Sequence, residues 1–325
     1  MRAAYYEANG PAASVLKVAE VETPKPGPGE VRVKLATSGV NPSDVKTRAG
    51  TVRKIAFPRV IPHSDGAGTI EAVGEGVDKA RMGERVWIWN GAWKRPFGTA
   101  AEFITLPARQ AVTLPAAASF DDGACLGIPA LTAWHAVTLD GPVGGQTILV
   151  HAGAGAVGHY VVQIAKARGA TVIATVSSPE KAALAKAGGA DHTINYRNED
   201  VGARVKEITG GKGVDRIINM DITANAKLIP AVLRPRGTVV IYGIGGPEAT
   251  IPAQYCLTSQ IQLKFFLVYD LDDAAREAGL KGIGDMLKSA ALKHNVAATY
   301  GLDQIVAAHQ AVESGKVTGN VVVRL

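Results

Sequence analysis

The chain is predicted to be an α/β protein, with a doubly wound parallel sheet at its centre and a β-rich domain before it. Three observations carry that reading. After Phe120, short apolar strands alternate with helix-like segments. Gly153-Ala154-Gly155-Ala156-Val157-Gly158 lies between one such strand and one such helix. Before Phe120 the chain instead shows period-two runs broken by turns.

Val31–Thr37 alternates with period two, after a loop punctuated by Pro24, Pro26 and Pro28. Ala67–Val73 reads as a strand, with Gly74-Glu75-Gly76 as its turn, and Glu84–Trp89 and Ala101–Thr105 continue the series. In the central part the predicted strands are Thr147–Val150, Thr171–Val176, His192–Ile194, Arg216–Asn219 and Thr238–Tyr242. The helical pieces between them are Gly155–Arg168, Lys181–Ala187, Val201–Ile208 and Ala224–Leu233. Leu263–Val268 reads as a sixth strand and Asp272–Ala291 as a helix, followed by a helix over Leu302–Glu313 and a strand Val321–Leu325. Residues 123–271 thus form the doubly wound domain, and 1–122 with 272–325 the other.

At 325 residues and 47% hydrophobic, the chain has material for two cores. No run reaches the roughly 18 apolar residues of a membrane span, and the start lacks a signal-peptide core. Two cysteines, Cys125 and Cys256, make neither a disulfide framework nor a metal cluster, which suits a reducing cytoplasm. A net charge of +6 fits anionic ligands or a solvated basic surface, and demands no nucleic acid.

The Gly153–Gly158 turn has a chemical meaning in its strand–helix setting. The first glycine permits the turn, the second admits a pyrophosphate to the backbone, and the third lets helix pack on strand. The helix start then favours the diphosphate charge. Sites that prefer NAD carry an acid at the end of the second strand to hold the ribose 2′-OH. Here that position is Ser177, within Val176-Ser177-Ser178-Pro179-Glu180-Lys181. Ser177 and Ser178 can bond a 2′-phosphate and Lys181 can supply countercharge, which favours NADP(H). The same serines would also serve to cap the helix that begins near Pro179.

The whole chain resembles the medium-chain dehydrogenase/reductase superfamily, and most closely its zinc-free quinone oxidoreductase, or zeta-crystallin-like, branch. The motifs that carry the resemblance are Gly39–Asp44, Gly66–Gly74, Gly83–Val86, Gly127–Trp134, the Gly153–Gly158 loop, and Ala308-His309 with Glu313–Lys316 and Gly319-Asn320. The resemblance implies a GroES-like catalytic domain beside a Rossmann domain, and a homodimer joined through residues 262–268. It places Asn41 and Thr132 by the nicotinamide or its ribose, Tyr196 by the 2′-phosphate, and Tyr242, Gly243, Phe265, Phe266 and Leu267 along the cofactor. Asn320 closes that end. Thr132 also reads as a helix residue bonding its own backbone, and Phe265 and Phe266 as core or interface packing. A regular strand would turn only one of the two phenylalanines toward a ligand.

The three segments that hold catalytic zinc in alcohol dehydrogenases of this superfamily carry Asn41, Ser64 and Ile128 here, which is no zinc ligand set. His63 reads as a hydrogen-bonded loop residue, although it joins Asn41, Lys46 and Thr132 as a substrate-site candidate. The expected activity is metal-free hydride transfer from NADPH to a quinone or another electron-poor acceptor, with no essential tuned acid. Reduction of an enone C=C bond is the alternative, or a crystallin-like protein that binds NADPH or RNA with little turnover. Lys46 stands where many relatives carry Tyr. With Arg48, Arg53, Lys54 and Arg59 it forms an acid-free basic segment, read first as a solvated loop and second as a site for anionic substrates.

Overall fold

The computed structural model describes residues 1–325. It divides into two compact units, one of Met1–Pro129 with Ile283–Leu325 and one of Ala130–Gly282.

The second unit is built on a six-stranded parallel sheet. Its order is His192–Asn195, Thr171–Val176, Thr147–Val150, Val214–Asn219, Leu233–Ile241 and Gln262–Phe265. Counted along the chain, this is the doubly wound order 3-2-1-4-5-6, whose switch point lies between the strands ending at Val150 and Asn219. Ile148 pairs with Val172 and Arg216, and Leu149 with Ile173 and Ile217. Leu149, Ile173, Ile217 and Val239 are wholly or almost wholly buried, as strands covered on both faces require. Arg216 is buried too. Its guanidinium donates to the carbonyls of Val137 and Asp140 at 2.8 and 2.7 Å, closing the C-terminal end of the Leu131–Thr138 helix.

The predicted helix Ala224–Leu233 is corrected to three short pieces, Ile222–Asn225, Ala226–Leu228 and Ile229–Val232. Pro230 supplies no N–H to a continuous ladder. The last strand stops at Phe265, and Val268 lies in a 3₁₀ turn, Val268–Asp270.

The first unit holds a seven-stranded, mostly antiparallel sheet organised by one strand, Glu30–Val40. Its first half pairs with Phe103–Pro107, its last four residues pair with Asn320–Arg324, and its other edge pairs with Asp65–Val73. Val31, Val33 and Leu35 point into a core with Ile70, Val86, Ile88, Ile104 and Leu106. The strand runs beyond the predicted Val31–Thr37 and delivers the chain to Asn41. There Pro42–Ala49 forms a helix absent from the sequence reading. Asn41 at its N-cap, Pro42 at the first position and Asp44 at the third are the start signals.

The helix Asp273–Lys288 passes the Trp134 indole at Gly282, where an added Cβ would overlap the ring. Gly282→Ala should destabilise the protein by about 1–3 kcal/mol through overpacking. A melting temperature equal to that of wild type would show that the indole has room to move aside.

Candidate active site

The candidate residues form two sets, one in each unit. In the second unit the Thr147–Val150 strand runs into Ala152, a non-glycine in left-handed backbone at φ 55°, and then into the glycine loop. A Cβ on Gly153 would stand 2.5 Å from that of Ala174 on the neighbouring strand, and one on Gly158 would overlap the Ala152 carbonyl. Both glycines are therefore fixed by packing. Gly155 is the N-cap of the Ala156–Ala167 helix and gives it no side-chain cap. His159 is the first residue to donate within the turn, to Gly155 O at 2.9 Å. The N–H groups of Ala156, Val157 and Gly158 stand before it without helical acceptors, beside Ala154. This end is built to receive an oxyanion, and a dinucleotide diphosphate fits it.

The second strand ends at Val176 with Ser177 buried behind it. Register pairs Val176 with Asn195, so Tyr196 follows directly beside Ser177, donates its N–H to Val176 O at 3.1 Å, and is 54% exposed. Ser178 is the N-cap of Pro179–Ala187, its hydroxyl accepting the Lys181 N–H at 3.3 Å. That hydroxyl also holds the Glu180 carboxyl below its usual range, so its one proton is directed to Glu180. Ser178 thus caps this helix. Ser177, Lys181 and Tyr196 remain for a 2′-phosphate.

Farther along the sheet, Tyr242 and Gly243 follow the Leu233–Ile241 strand. The Tyr242 ring lies 6.4 Å from that of Phe266, and Phe266 meets His135 edge-on at 4.7 Å. Burial pushes the Tyr242 phenol well above its ordinary pKa. Phe265 and Leu267 are 61% and 46% exposed, so Phe266 alone of the three turns toward Tyr242. Thr132 is buried in the Leu131–Thr138 helix. His135, one turn beyond Thr132, was missed by the sequence reading, although it lies just past the Thr132 segment that the motif singled out. Burial lowers its pKa, which leaves a neutral imidazole.

In the first unit Asn41 is buried and held at both ends. Its backbone N–H donates to Asp44 Oδ2 and its side-chain amide to Asp65 Oδ2, both at 2.8 Å. Burial pushes the Asp44 carboxyl up to about 7. It pushes Asp65 well above the usual carboxylate range, with Asp44 adding to the effect. Asn320 is buried at the start of its strand and spends its amide on Asn295 O at 3.2 Å.

His63 is wholly buried with both ring nitrogens engaged, by Ser38 at 2.8 Å and His309 at 2.9 Å. It is therefore a structural imidazole out of reach of an acceptor, and its substrate-site candidacy is withdrawn. Ser64 is buried with its carbonyl accepting from Gly91, and no group of three or more His, Cys, Asp or Glu converges as a metal site.

The basic segment is not one solvated loop. Arg48 is wholly buried and bonds Glu313 and the Gly10 carbonyl. Arg59 pairs with Glu7 at 3.0 Å, and Arg53 stacks 3.8 Å from the centre of the Trp93 ring. Lys46 and Lys54 stay exposed, so charges grouped by sequence are sorted by the fold into separate environments.

Comparison with known proteins agrees with this architecture. Residues 27–116 match the alcohol dehydrogenase GroES-like domain, and residues 156–280 match the model described as zinc-binding dehydrogenase. The chain is 32% identical to a 2-haloacrylate reductase of Burkholderia sp over 93% of each protein. It is 32% identical to the quinone oxidoreductase of Rattus norvegicus over 96% of this chain and 94% of that one. A solved NAD-dependent alcohol dehydrogenase superposes with a TM-score of 0.92 at 30% identity, each chain covered fully. The Escherichia coli quinone oxidoreductase complexed with NADPH superposes with a TM-score of 0.87 at 26% identity, again over both whole chains. With its GroES-like and Rossmann domains and these full-length relatives, the chain belongs to the quinone oxidoreductase branch of the medium-chain dehydrogenase/reductase superfamily.

Proposed function

We propose that the protein reduces quinones or other electron-poor acceptors with hydride from NADPH, and without a metal. The observation that carries this is the open helix start at Ala156–Gly158 combined with Ser177, in place of an acid, at the end of the second strand. The quinone oxidoreductase relatives support the reaction, and the NADPH complex of one structural neighbour supports the cofactor.

NADPH, when bound, supplies the hydride, and the chain's work is to orient it and exclude water. The loop N–H groups hold the diphosphate, while Ser177, Lys181 and Tyr196 take the 2′-phosphate. Thr132, Tyr242, Gly243, Phe266 and Leu267, with Asn41 and Asn320, are the residues assigned to the nicotinamide half. No side chain is assigned as an essential acid. The acceptor is already electron-poor, and its proton comes from water.

Reduction of an activated C=C bond is the second reading, favoured by the 2-haloacrylate reductase relative and the exposed Lys46. We also propose a homodimer. Gln262–Phe265 ends its sheet with one edge unpaired, beside exposed Phe265, Leu267 and an 80% exposed Leu257. A cytoplasmic setting suits the free Cys125 and Cys256, and no helix is long and apolar enough to cross a membrane.

NADPH should bind more tightly than NADH by fluorescence titration and should be consumed with phenanthrenequinone or a simple enone. Lys181→Ala should weaken NADPH roughly tenfold while sparing NADH; equal losses for both would remove Lys181 from the 2′-phosphate. Binding without turnover of any acceptor would favour a vestigial, crystallin-like role. Lys46→Ala should raise KM for acidic acceptors more than for neutral ones, and equal changes would end its substrate role. Sedimentation at micromolar concentration should give a dimer, and a monomer there would contradict pairing through the Gln262–Phe265 edge.

A further inference from the structure

We propose that Asp65 is a positioning residue for hydride transfer: its carboxyl fixes the direction of the Asn41 side-chain amide and ties it to the turn at Ile128. The proposal rests on the reductase reading, in which Asn41 meets the nicotinamide or its ribose.

Asp65 opens the Asp65–Val73 strand and is wholly buried. A hidden carboxyl forfeits its hydration and is tolerated only against well-placed donors. Asp65 has two, and both reach the same oxygen. Oδ2 accepts from Asn41 Nδ2 at 2.8 Å and from the Ile128 N–H at 3.0 Å. Oδ1 has no donor. It lies against Gly127, where an added Cβ would overlap it. The wide π-helical turn Leu126–Ala130 brings that glycine and the Ile128 N–H to the carboxyl together.

Helix capping does not explain the arrangement. Asp44, at the third position of the Pro42–Ala49 helix, takes the Asn41 backbone N–H and also meets the Asn41 side chain, and these bonds complete the capping box without Asp65. Asp65 comes from a separate strand, and its carboxyl holds the Asn41 side-chain amide to the Ile128 N–H. What it sets is where the amide points. The ionisable groups facing Asp65 are Asp44 and the buried Cys125 thiol, with no cation among them. The carboxyl is therefore kept as the neutral acid, its proton on Oδ1, since Oδ2 is filled by two donors. A neutral Asn at this position can present its carbonyl to the same two donors.

The test compares full-length Asp65→Asn, Asp65→Ala, Asn41→Ala and the Asp65→Ala/Asn41→Ala double variant. Crystal structures without cofactor report the Asn41 amide, and kcat and KM are measured at saturating NADPH. Asp65→Ala should swing the amide away and lower kcat by roughly 10–100-fold, as a misplaced contact does, with NADPH affinity close to wild type. Asp65→Asn should keep the amide in place and kcat within a few-fold. The double variant should be no slower than Asn41→Ala, because one residue acts through the other. The proposal falls if the amide holds its place in Asp65→Ala, if the two single losses multiply, or if a folded Asp65→Asn loses kcat as Asn41→Ala does. Should Asp65→Ala fail to fold, Asp65→Ser, too short to reach both donors, replaces it. A wild type that binds NADPH yet reduces no acceptor removes the reductase reading, while the amide position still decides the structural claim.

Discussion

The close approach of Gly158 to the Ala152 carbonyl is the constraint on which the dinucleotide end depends. Helix and strand meet there backbone to backbone, and a single methyl would part them. Because they meet, the first turn of the Ala156–Ala167 helix starts at the tip of the strand and aims its unbonded N–H groups outward. The strand contributes the other half of the fit, since Gly153 is pressed against Ala174 on its neighbour. Ala152 bears a left-handed backbone to make the turn, at a strain of about 1–3 kcal/mol. The fold thus concentrates its backbone strain and close contacts in a few residues, and the oxyanion site is their result.

The first unit solves a different problem, the burial of polar groups. Asp44 and Asp65 are hidden with no cation assigned to either, and burial raises both toward the neutral acid. Neutral acids bonded to amides avoid the large desolvation penalty of buried carboxylates, leaving hydrogen bonds of about 1 kcal/mol each. Arg48 cannot take that route, because a guanidinium does not give up its proton. It is paired instead with Glu313 and the Gly10 carbonyl. The segment read along the chain as uniformly basic therefore holds two ion pairs, one buried and one at the surface, and an aromatic stack, with Lys46 and Lys54 exposed. Their neighbours come from Glu7, Trp93 and Glu313, far away in the sequence.

The second unit was the more legible half for the same reason. Buried parallel strands read as continuous apolar runs, and Thr147–Val150, Thr171–Val176 and Val201–Ile208 were placed to the residue. The Gly153–Gly158 loop carried its own geometry, because each glycine answers to a local contact. What was missed depended on distant partners. The Pro42–Ala49 helix has strong start signals, but Asn41–Asp44 was read as a motif of the family and its cap went unrecognised. Asp65 received no role from the sequence, since its partners Asn41 and Ile128 lie 24 and 63 residues away. Ser178 offered two compatible readings in the sequence, and the structure shows the cap.

Proton counting sets the polarity of the last buried network, which runs through His63. Thr99 has one hydroxyl proton and gives it to the Asp65 carbonyl at 2.5 Å. Its contact with Ser38 at 2.8 Å must then be filled by the Ser38 proton. Ser38, with its proton spent, can only accept from His63 Nδ1–H. His63 Nε2 is left as an acceptor, so His309 Nε2–H donates to it. Both imidazoles must be neutral for this to hold, and burial depresses both, His309 to about 3 with Arg48 assisting. One orientation satisfies every link, and it leaves His309 Nδ1 as the single unfilled acceptor. His63, at φ 77°, is thereby locked in left-handed backbone by bonds from three other elements. The strained residue just ahead of Asp65 is the anchor of that network, so the position of the Asp65 carboxyl is set from its backbone as well as from its side chain.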